Sequence, residues 1–458
     1  MNIQRTTLHL YTQSLLALSF LLFTALPTQA QLKSARKAQK AGDFLGASMY
    51  AIKSLAQKPV KNKAAQKLLA ECYPLAKSTA EAQINMLMDE SQSFYGDETV
   101  IQRLAILNKL DSLSNLQKKF KSLPPQALEA KKIDLNLDAS KDYRAAISGA
   151  EDKLAEAEEK AAELHYNAGL VHLEVESIST CRAAAREFTK SQSYVEGYED
   201  AADKYQEARA CGTKRIAIIP FSDKSYTDNF GDIGERISDR VLELSMKDAQ
   251  VMEFVEFVDR MNIAKEFHVN SWDLNEELAP DDAITLGKKL EIDEIWMGQI
   301  TQAIAEPASR SVANTSVTSS VVVGTRKETN KKGKVVTRNV YGDVTAYVKE
   351  YTKVASGILN WGYKTLHVNV GDAAPYKTGQ EKVNYEHTWY AHVSGDTRAS
   401  RNLHKSDKQL PSAGERLDQM MNTASQKLFN QLRVNELRRD IPLVESQTDF
   451  ANLSNERD

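Results

Sequence analysis

At 458 residues the chain is longer than one ordinary domain, and two or three are expected. Its composition, 42% hydrophobic and 26% charged with a net charge of −3, is that of a globular protein. It excludes the strongly basic class that holds nucleic acid by its phosphates, and it supplies no overall charge to attract an anionic membrane surface.

The first thirty residues differ from the rest. "MNIQRTTLHLYTQ" carries Arg5 and no acid, "SLLALSFLLFTALP" is an apolar core, and "TQA" places Ala30 before Gln31. These are the three regions of a secretory signal peptide, residues 1–30. A membrane anchor would need about 20 apolar residues, more than this run has, so cleavage is expected. Arg5 is the only charged residue removed, which takes the net charge from −3 to −4. No cysteine follows the cleavage position, so a lipid anchor there is not expected, and no later run reads as a membrane helix. The chain is expected to be exported, to the periplasm or the periplasmic face of an outer membrane. Export makes Cys72, Cys181 and Cys211 informative, because the destination is oxidising. An odd count leaves one thiol over unless a partner chain supplies another, and there is no CxxC or zinc-type spacing.

From Leu32 to about Ala210 the chain is rich in Ala, Lys, Glu, Gln and Leu, all strong helix formers. "GDFLGASMYAIKSLAQKP", Gly42 to Pro59, puts an aromatic at Phe44, small or apolar residues at Ala47, Ala51 and Leu55, and a terminating proline. With "LKSARKAQKA" before it, the segment resembles a tetratricopeptide repeat, with a fainter echo in "NKAAQKLLAECYPLAK"; a generic helical hairpin is the other reading. These hairpins are placed at 31–80. A helical region, 81–211, follows. It holds a stretch interrupted by Pro124 and Pro125, one long helix in "DKLAEAEEKAAELHYNAGLVHLE", and a degenerate repeat hairpin broken at Gly197. Cys181 opens that hairpin's first helix and Cys211 closes its second, so an antiparallel pair makes them neighbours and a disulfide is expected, against two separate buried thiols. Stacked helical pairs of this kind offer a concave face to other proteins or peptides.

After Gly212 the period changes. "RIAIIPF" is a continuous apolar run, the mark of a strand covered on both faces. A helical stripe follows at Ile233, Ile237, Val241 and Leu244, then a strand "VMEFVEFVDR", a short helix "MNIAKEF", a helix opened by Pro280, and a strand "DEIWMGQIT". That order predicts a substantially parallel, covered sheet. The same residues resemble the curli production assembly/transport component family. The pattern is a strand ending in Pro220 and Phe221, Arg260 before the short helix, Gly287 in a Leu-Gly-x-x-Leu run, and a strand holding Asp293 and Gly298. The resemblance covers Lys214 to Thr301 and resumes at "SGILNWGYKTLHVNV" and "ERLDQMMNTASQKLFNQL". It implies a three-layer α/β domain, 212–435, in an envelope assembly or secretion protein.

A β-hairpin insert, 308–354, sits between those parts: "NTSVTSSVVVGT" and "KVVTRNVYGDVTAYVKEY" alternate like strands around the tip "RKETNKKGK". In the family, hairpins at a comparable place build a shared outer-membrane barrel. Here Arg338 falls on the face of Val336, Val340, Val344, Ala346 and Val348, and the first arm is mostly Ser and Thr, so a soluble hairpin packed on the domain is preferred to a pore subunit. The last stretch, 436–458, reads as a polar tail that frays.

No catalytic, cofactor-binding or metal set emerges. There is no GxxxxGK[ST], HExxH or GxSxG. "GDIGER" at Gly231 reads as a helix start. His387 and His392 point to opposite faces of one strand. His165 and His172 stand two helical turns apart, as surface or seam histidines, and Asp396 with Arg398 reads as a local ion pair. The expected fold class is multidomain, a tetratricopeptide-like helical region followed by the α/β domain with its hairpin. The expected function is non-enzymatic, without cofactor, binding other envelope proteins or further copies of the chain. Nucleic acid is not an expected partner, and any membrane contact would be made without a lipid anchor or spanning helix. An outer-membrane pore subunit and a periplasmic hydrolase are the alternatives.

Overall fold

Residues 28–60, 62–90, 96–128, 142–225, 230–272, 276–329, 331 and 333–455 are described by the computed structural model of the chain; all but the last three residues of the 1–30 leader lie outside them. The protein is a mixed α and β chain. It divides into two units, Met1–Gly212 with Arg439–Asp458, and Thr213–Arg438.

In the first unit the helix-forming composition produces α1 (Thr28–Lys40), α2 (Phe44–Gln57), α3 (Lys63–Glu90), α4 (Asp97–Lys121), the single turn α5 (Pro125–Leu128), α6 (Arg144–Leu173), α7 (Ile178–Tyr194) and α8 (Ala201–Gly212). Side chains at both ends of these helices meet orphan backbone groups. Asp43 accepts from the Gly46 amide at 2.8 Å at the start of α2, and Ser177 and Thr180 form a reciprocal cap on α7. Asp97 and Glu98 at the start of α4, with Lys118, Lys119 and Lys121 at its end, complement the helix dipole. Fully buried Ala35, Ala47 and Ala51 let α1 and α2 approach closely, and α3 and the end of α4 close that cluster with Leu68, Leu69, Tyr73 and Phe120. Further along, Gly169 of α6 has no side chain where the Phe188 ring of α7 lies; a Cβ there would stand 2.6 Å from the ring.

Two expectations change in this unit. The boundary set between residues 80 and 81 falls inside α3, which runs on unbroken to Glu90. The described part of the 436–458 tail, to residue 455, is packed rather than frayed, because it holds apolar residues with a place to go. Val444, Phe450 and Leu453, the last two on α14 (Gln447–Asn455), pack on Leu164 and Ala168 of α6.

In the second unit one mixed sheet is formed by β1 (Lys214–Ile218), β2 (Ser222–Asp223), β3 (Val255–Phe257), β4 (Glu294–Ala305), β5 (Ser309–Thr329), β6 (Val335–His367), β7 (Asp372–Ala373) and β8 (Lys377–Gly395). The order is β3-β1-β4-β6-β5, with β2 on β4 and both β7 and β8 on β6. Helices α9 (Ile233–Lys247), α10 (Val251–Phe254), α11 (Arg260–Asn270), α12 (Pro280–Leu290) and α13 (Ala413–Glu436) complete the unit.

The pleat explains the apolar run after Lys214. Ile216 and Ile218 face one cluster with Ile233, Ile237 and Val241 of α9 and Leu417, Met420 and Leu428 of α13. Ala217 and Ile219 face another, with Ile263 and Phe267 of α11 and Ala283 and Leu286 of α12. A strand buried on both sides has no polar position to alternate with. Pro220 interrupts the ladder: three residues, 219–221, stand opposite two of β4 between the pairings Ile218–Trp296 and Ser222–Gln299. A residue without an N–H is tolerated at such a bulge.

The sheet is less parallel than expected. β1, β2, β3 and β4 pair in parallel, whereas β4, β5, β7 and β8 all run antiparallel to β6. Three residues between β4 and β5, and five between β5 and β6, leave no room for crossover helices. The expected strand from Val251 is shortened to Val255–Phe257, because Asp248 accepts from the amides of Gln250 and Val251 and starts a helical turn there. The hairpin is packed only at its root, where Val317, Val344, Ala346 and Val348 meet Ala399 and Leu403. No described residue of β5 is fully buried, and β8, which pairs along β6, ends with Gly395 opposite Ala346.

Gly298 should tolerate no side chain, because a Cβ would come 2.5 Å from the buried Phe221 ring. In urea unfolding, Gly298→Ala is expected to cost about 1–3 kcal/mol by overpacking. Gly149→Ala, exposed in α6 where a Cβ would meet nothing beyond its own helix backbone within 4 Å, should gain about 0.5–1 kcal/mol. An unchanged midpoint for Gly298→Ala would mean that the ring does not sit there.

Candidate functional site

Helix α6 presents a stripe of buried small residues, Ala157, Ala161 and Ala168, along the seam it shares with its neighbours. His165 stands in that stripe with no exposed surface. Its Nδ1 lies 2.6 Å from Glu187 Oε2 on α7, and its Nε2 lies 2.8 Å from Asp97 Oδ1 at the start of α4. An imidazole bonded at both nitrogens to carboxylates donates twice, which is the charged form. Burial opposes that charge, but the hydrogen bonds to Asp97 and Glu187 outweigh it and raise the pKa above 6.5. Burial likewise works against the Asp97 carboxylate, yet hydrogen bonds from His165 and Tyr194, with the charges of His165 and Lys190, hold its pKa down to about 2. Lys190 Nζ is 3.1 Å from the other Asp97 oxygen. Glu187 uses its second oxygen to accept from the Val444 amide at 2.7 Å, so the same cluster holds the returning C-terminal segment. Arg186 adds a second tie, to the Ile441 carbonyl at 2.8 Å. The arrangement joins four segments; it presents no exposed nucleophile. His172, two helical turns further on, is buried with its pKa lowered by desolvation.

The sequence reads His165 and His172 as ordinary surface or seam histidines and misses this cluster. The available signal is a histidine in register with buried alanines. Its partners, 68 and 22 residues away, cannot be read from local spacing.

Cys181 and Cys211 form a disulfide with Cα atoms 5.7 Å apart, closing the α7–α8 hairpin. Arg182 beside it donates to the Gly212 carbonyl at 2.9 Å. Cys72 is a free thiol, buried with its pKa raised by desolvation.

A groove of about 500 Å³ opens between the α1–α2 turn, α3 and α4. Asp43, Phe44, Ala80, Gln83, Asn108 and Lys109 line it. Lys109 donates to Gln83 across it at 2.6 Å.

Pro220, Phe221, Arg260, Gly287, Asp293 and Gly298 all lie in the second unit. Phe221 and Gly298 are brought into contact. Pro220 follows the end of β1. Arg260 donates to Ser238 and pairs with Asp239, both at 2.9 Å. Gly287 leaves room for Val368, whose side chain would lie 2.3 Å from a Cβ. Asp293 accepts from the Arg215 amide at 2.8 Å, binding the start of β4 to β1. Deeper in the unit, Lys214 is held between Glu294 and Glu436; burial opposes its charge, but Glu436 and then Glu294 raise its pKa.

His387 stacks on Trp389 and bonds the Ser406 carbonyl at 3.0 Å, while His392 lies 3.5 Å from Ser400. Asp396 and Arg398 pair at 2.6 Å. "GDIGER" opens α9, with Asp232 capping it and Gly234 passing close under the Phe221 carbonyl. Among the described residues no group of three or more His, Cys, Asp or Glu is arranged to hold a metal ion, and no helix is long and apolar enough to cross a membrane. No protein-family model matches the chain, and no curated protein is significantly similar to it.

The His165 cluster has a signed pH dependence. The stability from His165 is complete below its ordinary 6.5 and is lost as pH rises through the raised value. The stability from Asp97 is present above the ordinary carboxylate range and is lost as pH falls towards about 2. His165→Gln removes the buried positive charge between Asp97 and Glu187 and one of its two hydrogen bonds, and is expected to cost about 3–5 kcal/mol near neutrality. Wild type should lose this advantage over the variant as pH rises. Parallel stability–pH curves on the alkaline side would contradict the charged imidazole.

Proposed function

We infer that the chain is an exported, non-enzymatic cell-envelope protein that works by binding other proteins. Its paired helices act as tetratricopeptide-like repeats that hold a segment of a partner. Its α/β unit, a three-layer domain of the curli-assembly type, supplies a second interface in envelope assembly or secretion, in the periplasm or at the periplasmic face of the outer membrane. The observation that carries the reading is the groove between the α1–α2 turn, α3 and α4. It is open, mixed in polarity, and built on rigid helices, which suits an extended peptide with both apolar and polar side chains. The Cys181–Cys211 disulfide supports an oxidising destination. The ordered positions Pro220, Phe221, Arg260, Gly287, Asp293 and Gly298 support the domain assignment, since all but Pro220 have a packing or hydrogen-bonding task within the unit.

A photoreactive amino acid at Asn108 or Gln83, used in living cells, tests this. A discrete crosslinked partner from the envelope fraction, lost on filling the groove with Ala80→Trp, is the expected outcome. Crosslinking that is absent, or undiminished by Ala80→Trp in a folded protein, would defeat the reading.

A further inference from the structure

The overall charge of −3 conceals a strongly basic end on the β5–β6 ribbon. Arg398 donates to the Val322 carbonyl at 3.0 Å, the outermost tie from the segment that packs on the ribbon's root. Beyond it the rungs from Gly324–Val340 to Thr329–Val335 carry the two strands outward by roughly 20 Å. Every described residue there is exposed or half-buried. Arg326, Lys327, Lys331, Lys334 and Arg338 gather at this end against one acid, Glu328. Glu328 is shared by Arg326 and by Arg338, 3.2 Å away, and both arginine side chains remain 73% exposed.

Charge alone would suit any polyanion. The apolar residues narrow the choice. Val322, Val323, Val335, Val340 and Tyr341 are 39%, 49%, 60%, 42% and 65% exposed, interleaved with the basic residues. The pairing Arg326–Arg338 puts both arginines on the face of Val340, while Lys327 shares the other face with Val335 and Tyr341. A two-stranded ribbon with valines on both faces has no side to turn to a protein core, and alone in water it is marginal. At a lipid–water boundary the same pattern is satisfied: Val and Tyr enter the interface while Lys and Arg reach anionic headgroups.

We propose that the end of the β5–β6 ribbon is a peripheral docking element for an anionic lipid surface. It needs neither a lipid anchor nor a spanning segment.

The test is flotation of the full chain with vesicles of phosphatidylcholine alone or with about 30% phosphatidylglycerol, at low and at physiological salt. The expected result is retention on the anionic vesicles only, weakened by salt. The triple variant Lys327→Gln, Lys331→Gln, Arg338→Gln should weaken it by on the order of 100-fold, about fivefold for each charge removed. Val335→Ser with Tyr341→Ser, at unchanged charge, should also weaken it and leave heparin binding unaltered. All these positions are exposed, so thermal unfolding should match wild type; Lys331→Gln alone, at the turn, gives a fallback with a smaller loss. No retention at low salt, retention unaffected by the charge variants, or a serine pair that floats like wild type while heparin and DNA bind equally well, would each overturn the proposal. The last outcome would make the ribbon end a general polyanion site.

Discussion

Covering β1 and β4 on both faces is the constraint on which the second unit depends. Four consecutive apolar residues, Ile216 to Ile219, point alternately to opposite sides, and each side must be closed by helices. That requirement places α9 and α13 against one face and α11 and α12 against the other. It also explains why glycines stand at close approaches: Gly298 and Gly234 against Phe221, and Gly287 against Val368. Buried charge inside this packing is compensated locally. Lys214 stands between Glu294 and Glu436, and Arg416, 1% exposed, donates to the carbonyls of Pro411 and Glu306, fixing the start of α13 to the corner between β4 and β5.

Strand β6 crosses from one regime to another. Over Gly357–His367 it pairs with β4, and its own side chains such as Leu359, Trp361 and Leu366 are covered. Towards its start it pairs only with β5, and its side chains are largely exposed. One strand thus links a closed core to a ribbon with unfilled faces. The alternation in "KVVTRNVYGDVTAYVKEY" is continuous across that change, so the sequence marks the strand but not the place where cover stops. Cover stops where β8 ends and where the segment around Asp396–Leu403 turns back, and both are tertiary facts.

The same limit separates what was legible from what was not. The covered strand, the helix opened by Pro280, the break at Gly197 and the adjacency of Cys181 and Cys211 follow from local pattern and helix geometry. The mixed direction of the sheet does not, because an apolar strand reads alike in parallel and antiparallel settings once both faces are buried. The tail reads as polar because its mean polarity hides Val444, Phe450 and Leu453, which matter singly. The His165 cluster was invisible because Asp97, Glu187 and the Val444 amide meet only through packing. In both cases a few residues with distant partners outweigh the average character of their segment.

Native-state hydrogen exchange measures the difference between core and ribbon most directly. The amides of Ile216, Ala217, Ile218, Ile295, Trp296 and Met297 should exchange only through global opening of their unit. Those of Gly324–Thr329 and Val335–Tyr341 should exchange by local opening, orders of magnitude faster. Fast exchange across the isoleucine run, or equal protection along the whole of β6, would contradict a sheet closed on both faces at one end and bare at the other.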